Sequence, residues 1–274
     1  MDTNDKQSAV SPSGAGIEWR REGDVAYVTI ANPGHHNAIT IEMWRLIKTC
    51  FQEIAGSPGL RVVVMSGAQG AFAAGADISE FKTARATRDQ VRHFHQEIIA
   101  PALLSIAHCP IPVIAAIDGA CVGGGLEIAS VCDLRVASDR SRFGIPIQRL
   151  GFPMAPAEAA GLLSLARKAV ALELLLEGRI FDAQEAYEKG LLTRVVPLAL
   201  WEEEVRATAQ RVAQGAPHAA RRNKWLIQIL SGGPSPDLLS PLQQEACWDF
   251  VETQDYQRGV DAFLKKSPPR FEDN

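Results

Sequence analysis

Apolar residues along the chain fall into two patterns. Short unbroken runs, VAYVTI (25–30), RVVVMSG (61–67), IPVIAAIDG (111–119) and DLRVASD (133–139), read as strands that are largely buried. Between the first two, IEMWRLIKTCFQEIA (41–55) repeats apolar residues at helical spacing through Met43, Leu46, Ile47, Phe51 and Ile54. A second helical segment covers about 88–107, and the glycine run at 123–125 opens a third that continues through Ser130. Strand, loop and helix in alternation predict an α/β domain. From about residue 155 the pattern becomes helical, with long segments at 199–214 and 217–231. The expected anatomy is a flexible polar tail (1–16), an α/β core (17–200) and an all-helical C-terminal region (201–274).

Composition narrows the function without changing this outline. Hydrophobic residues at 46% and charged residues at 22% suit a globular protein with a core. A net charge of −4 argues against nucleic acid or an anionic membrane as the main partner. The longest apolar stretch, 101–128, is interrupted by His108, Pro110, Pro112 and Asp118, so no membrane span is expected. Five scattered cysteines without a CxxC pair fit reduced thiols rather than disulfides or a zinc site. The first sixteen residues have neither signal-peptide nor transit-peptide character, so a cytoplasmic location is expected.

The segment GACVGGGLEIASVCD (119–133) carries the candidate chemistry. The first N–H groups of a helix have no internal acceptor, and the helix dipole adds partial positive charge there. Glycines at 123–125 let a ligand atom approach those N–H groups without an intervening Cβ. Such a turn suits negative charge developing on oxygen. AAGAD (73–77), after another buried strand, offers a second donor at Ala76. The alternative is that both are simply tight strand-to-helix turns, and the residues alone leave it open. No GxSxG nucleophile turn and no GxxxxGK[ST] phosphate loop occurs.

GAFAAGADISEF and IDGACVGGGLEIASVCDLRVAS resemble the two oxyanion-loop motifs of the crotonase family, the enoyl-CoA hydratases and isomerases. NPGHHNAIT is similar to that family's N-terminal substrate loop, LLLEGRIFDAQEAYEKGLLTRVVP (174–197) to its helix-turn-helix signature, and YQRGVDAFLKK (256–266) to its C-terminal CoA-contacting segment. The likeness covers about 17–270. It implies a spiral of ββα units followed by helices, an acyl-CoA thioester as substrate, no cofactor beyond the CoA of that thioester, and a homotrimer or dimer of trimers. It also implies that the N–H groups of Ala76 and Gly124 hold the thioester carbonyl as it gains enolate character. It further implies Ala38 and Ala74 along the CoA channel, Gly123 beside the substrate, Phe263 against adenine and Lys266 against phosphate.

Adding water to an enoyl thioester needs one group to activate water and one to protonate the α-carbon. The hydratases resembled here use two glutamates, and Glu127 matches the first. The second falls in a segment like FGxPE, but this chain reads FGIPIQRLGFPMAPAEAA (143–160), with Ile147 at the acid's position. Glu158, eleven residues on, reads first as a solvent-facing cap at a helix start, with entry into the pocket from that helix as the alternative. His93 and His95 lie in a region that borders the acyl pocket in the family, and His35 and His36 in the N-terminal loop. Hydration is the expected reaction. An isomerase or carnitinyl-type racemase/dehydratase using one glutamate, or a catalytically weak acyl-CoA-binding subunit, remains the alternative.

Overall fold

The computed structural model describes residues 6–10, 14–231 and 239–273. Strands β1 (Lys6–Val10), β2 (Gly16–Glu22) and β3 (Val25–Ala31) form an antiparallel meander. Helix α1 (Ile41–Ala55) returns the chain to β4 (Val62–Gly67), parallel to β3. Helices α2 (Phe81–Ala84), α3 (Arg88–His93) and α4 (Ala100–Ala107) lead to β5 (Val113–Ile117), parallel to β4. After β6 (Ala120–Val122) and α5 (Gly124–Val131), β7 (Leu134–Ser138) pairs with β5. Next come β8 (Arg142–Gly144), α6 (Pro156–Leu165), α7 (Lys168–Glu177), β9 (Phe181–Asp182) and α8 (Ala183–Glu188). β10 (Arg194–Val196) pairs parallel to β7, and α9 (Leu198–Ala213), α10 (Pro217–Leu230), α11 (Pro241–Glu245) and α12 (Gln254–Leu264) complete the chain.

Among the described residues these strands make a sheet in the order β1-β2-β3-β4-β5-β7-β10 and a small one in the order β6-β8-β9. A parallel bridge between Ala73 and Cys121 extends the small sheet to the loop after β4. Each turn of the chain thus lays one strand in the large sheet and a short extended segment in the small one. A helix then follows, which is the expected ββα spiral. Within the expected tail, Lys6–Val10 is extended along β2, while residues 1–5 and 11–13 lie outside the described residues.

Two cores explain the unbroken apolar runs. Val63 and Met65 of β4, with Val113, Ala115 and Ile117 of β5, face a core containing Trp44, Ile47, Phe51 and Ile54 of α1. Val62, Val64, Ile114 and Ala116 face the other way, onto Val205, Ala209 and Ala213 of α9. Helices on both faces leave these strands no polar side, which is why they do not alternate. Each fully buried Val, Leu or Ile contributes roughly 1.5–3 kcal/mol. The first helix beyond residue 197 is therefore part of the cover over the α/β sheet.

The helical segment expected at 88–107 is present but not uniform. Between α3 and α4 the chain runs as a π-helical stretch, Phe94–Ile99. Pro101, near the start of α4, has no N–H to return to the carbonyl of Glu97, so an ordinary α ladder cannot continue through it. Wider turns upstream absorb the break, a device found often beside functional sites.

Candidate active site

The two glycine-rich loops meet. Ala73 N–H donates to Ala120 O at 2.8 Å, and Val122 N–H returns to Ala73 O at 3.0 Å. Ala74 N–H is held by His36 O at 3.0 Å, while Ile39 N–H donates to Gly75 O at 2.7 Å and Asp77 N–H to Ile39 O at 2.9 Å. In that parallel bridge the Ala76 N–H points away from Ile39. It has no acceptor among the described residues, and neither has Gly124 N–H in the first position of α5. A Cβ placed on Gly124 would stand 3.5 Å from Ala76 N, and one on Gly75 would stand 3.8 Å from Gly124 N. Two uncommitted donors therefore border one small space.

The cost of three consecutive glycines now has separate causes. Gly123 sits at φ 51°, ψ −120°, a conformation that L side chains rarely adopt. A Cβ on Gly125 would lie 2.3 Å from Ala73 O, so the helix could not dock against the loop. A Cβ on Gly124 would lie 3.0 Å from Trp44 Cζ2 and beside Ala76 N, filling the space between the donors.

That space opens into a cavity of about 100 Å³. Its wall includes Ala74, Gly75, Ala76, Gly123, Gly124 and Glu127, together with Ile147 and Phe152. Glu127, on the first turn of α5, is only 7% exposed. Burial, then the negative charge of Glu158, push its carboxyl up to about 8, with Arg85 acting in the opposite sense. At neutral pH Glu127 therefore holds its proton.

Glu158 corrects the solvent-facing reading: it is 3% exposed and lines the same cavity. One carboxylate oxygen accepts the Ala155 N–H at 3.1 Å, closing the first turn of α6, and the other lies 2.6 Å from His95 Nδ1. The π-helical stretch carries His95 into this position, with its side chain 11% exposed. His93, His35 and His36 are exposed. Arg85 completes the polar lining, its guanidinium packed over the rings of Phe81 and Phe152.

Of the residues expected along the substrate, Ala74 and Gly123 line the cavity and Ala38 does not. Ala38 is half-buried, its N–H bonded to His35 O at 2.9 Å and its carbonyl to Asn32 Nδ2 at 2.6 Å. Phe263 is 83% exposed and lies with Lys266 at the end of α12, away from the cavity lining. A residue not singled out from sequence, Asn37, ties the scaffold together. It occupies φ 57° and is buried; its Oδ1 accepts Asn32 N–H at 2.9 Å, and its Nδ2 donates to Ala68 O at 2.8 Å and Ala71 O at 2.7 Å. An Asn within a turn-rich loop, one of the few side chains tolerant of positive φ, was the available signal. Among the described residues no group of three or more His, Cys, Asp or Glu side chains could hold a metal, and no helix is long and apolar enough to cross a membrane.

Comparison with known proteins follows the same lines. The family described as enoyl-CoA hydratase/isomerase matches residues 20–274. A crystal structure of an enoyl-CoA hydratase/carnithine racemase from Magnetospirillum magneticum is similar at a TM-score of 0.91 and 41% identity, covering 97% of each chain. An enoyl-CoA hydratase from Bacillus anthracis is similar at a TM-score of 0.85 and 29% identity, covering 94% of this chain and 99% of that one. Human enoyl-CoA hydratase domain-containing protein 3, a mitochondrial protein, is 30% identical over 275 residues, 94% of this chain and 86% of its own length.

Proposed function

The chain belongs to the enoyl-CoA hydratase/isomerase family, and from that premise we propose that it adds water across the α,β double bond of an enoyl-CoA thioester. One observation carries the choice of reaction: Glu127 and Glu158 share a cavity with the N–H groups of Ala76 and Gly124. An isomerase or racemase acting through an enolate needs a single base, whereas water addition needs an acid and a base together.

In this reading the thioester carbonyl accepts hydrogen bonds from Ala76 and Gly124. Each well-aimed donor is worth about 3–4 kcal/mol as charge develops on that oxygen. Glu158, oriented by His95, removes a proton from water as the water oxygen bonds to the β-carbon. The π electrons move toward the α-carbon and carbonyl, and Glu127 delivers its proton to the α-carbon. Return of a proton from Glu158 to Glu127 through solvent resets the site. Burial supports the division of labour, because it keeps Glu127 protonated. Nothing beyond the thioester itself is required.

The assembly belongs to the same proposal. Phe263, with Leu264 at 73% and Leu242 at 83% exposure, gives the C-terminal helices an apolar surface suited to a trimer or dimer of trimers. Phe263 and Lys266 would then meet the CoA of a neighbouring subunit.

The test is loss of enoyl-thioester absorbance when the protein is mixed with crotonyl-CoA. Turnover supports hydration. Exchange of α-protons in deuterated buffer with a saturated acyl-CoA, without hydration, would replace it with isomerase or racemase chemistry. Binding with neither activity would leave an acyl-CoA-binding subunit.

A further inference from the structure

Arg85 is the feature of the cavity that hydration does not use. Its guanidinium carbon lies 4.3 Å from the ring centroid of Phe81, 4.2 Å from that of Phe152 and 5.3 Å from that of Phe94. The rings of Phe81 and Phe152 themselves meet edge to face at 6.0 Å. Around this cluster the cavity wall is apolar, with Ile78, Ile99, Ile147 and Leu150. The side chain is half-buried, and among the described residues its guanidinium makes no hydrogen bond and no ion pair. The two acids of the cavity do not take that place. Glu158 spends its oxygens on His95 and Ala155, and Glu127 retains its proton at neutral pH.

An arginine cannot escape this by losing its charge, since its pKa lies far above neutrality. Aromatic packing satisfies the face of the guanidinium but not its N–H groups, which lie in the plane of the fork. A neutral alkyl chain entering the cavity would displace water from those donors and give nothing back. A planar anion would match the fork, ideally through two parallel N–H···O bonds.

We propose that Arg85 is the receptor for a carboxylate on the acyl chain, so that the preferred thioesters are those of dicarboxylic acids. This rests on the hydratase reading for its assay but not for its binding chemistry. Arg85 is the specificity-determining residue, and Phe81 and Phe152 hold its fork in place. The oxyanion donors belong to the wall made by Gly75–Ala76 and Gly123–Gly124, while Arg85 belongs to the wall made by α2 and the segment around Phe152. One ligand can therefore engage both, through the carbonyl at one end and the carboxylate at the other.

The experiment compares kcat/KM for glutaconyl-CoA, whose five-carbon enoyl chain ends in a carboxylate, with 2-pentenoyl-CoA, a neutral chain of equal length. Both are measured on the full chain, on R85Q and on R85K. Arg85 also lies within electrostatic reach of Glu158 and Glu127, but those effects bear on both substrates and cancel in their ratio. The native protein is expected to favour the carboxylate at least tenfold. R85Q should collapse the ratio by about tenfold to a hundredfold, the range for a charge-assisted hydrogen bond. R85K, which keeps the charge without the fork, should retain part of it. A native ratio at or below one, or a ratio unchanged in R85Q, overturns the proposal. If neither thioester is hydrated, the hydratase reading fails by itself. Calorimetry with glutaryl-CoA and pentanoyl-CoA then decides: a preference for glutaryl-CoA that disappears in R85Q upholds the Arg85 site, and equal affinities sink it.

Discussion

His95 Nδ1 lies 2.6 Å from a carboxylate oxygen of Glu158, so that a π-helical residue and the first turn of α6 meet inside the cavity. In the proposed hydration this pair takes the part that a carboxylate at position 147 would otherwise play.

Replacing Glu158 by Gln keeps the capping acceptor for Ala155 but removes the proposed base. Hydration should fall about 100-fold or more, within the range for general acid–base groups, while acyl-CoA binding changes little. His95→Gln should cost less and should raise KM less than it lowers kcat. Stopped-flow loss of crotonyl-CoA absorbance with parallel calorimetry measures both. A Glu158→Gln protein of native activity would refute the assignment.

Ile147→Glu tests whether the site lacks an acid. With Glu158 already in the cavity, the new side chain would be a further carboxylate in a space where burial and Glu158 already push Glu127 up to about 8. Turnover is expected to drop, and the melting temperature at pH 8 to drop with it. A rise in turnover would show that Glu158 is not serving as the second acid.

Glu127 predicts a pH dependence with a definite sign. The unfolded chain releases this proton from its ordinary value of 4.5 upward, whereas the folded chain keeps it until about 8. The folded state therefore loses stability as pH rises from 4.5 to 8, and the loss levels off above that. Glu127→Gln removes the slope. Its melting temperature relative to the native protein should climb by several degrees between pH 5 and 8, given about 2–4 °C per kcal/mol for chains near this size. In the proposed hydration this is the proton delivered to the α-carbon, so turnover should decline as pH passes about 8. Thermal scans across pH and a kcat–pH profile provide the two readouts.

The neighbouring glycines separate folding from catalysis. Gly124→Ala places a Cβ 3.5 Å from Ala76 N and 3.0 Å from Trp44 Cζ2, so the buried Trp44 ring must give by a few tenths of an ångström. It should cost 10²- to 10³-fold in kcat, the range for losing an oxyanion donor, with a modest fall in melting temperature. Gly125→Ala meets a backbone oxygen at 2.3 Å and should destabilise the whole loop junction. Equal effects of the two on stability and rate would argue against a functional space at Gly124.

Much of this was legible in the sequence because it rests on local rules. Unbroken apolar runs marked strands covered on both faces, and AAGAD and GGG marked loops where backbone comes close to backbone. Glu158 was legible only as the less favoured of two readings, because its cap is genuine. A Pro-x-Glu helix start describes the oxygen that takes the Ala155 N–H and says nothing of the other, which turns inward. His95 was marked beside the pocket but not told apart from His93, since a 3.6-residue reading does not anticipate the wider turns before Pro101. Arg85 needed three phenylalanines from separate segments to become distinctive.

Those wider turns act as a phase shifter. They set the azimuth of Phe94 and His95 independently of the buried stripe that Ala102, Leu103 and Ile106 lay down in α4. Winding residues 94–99 at the ordinary 3.6 residues per turn, with none removed, would swing everything upstream by about 100°. The imidazole would be carried off its carboxylate, while the core beneath α4 remained filled.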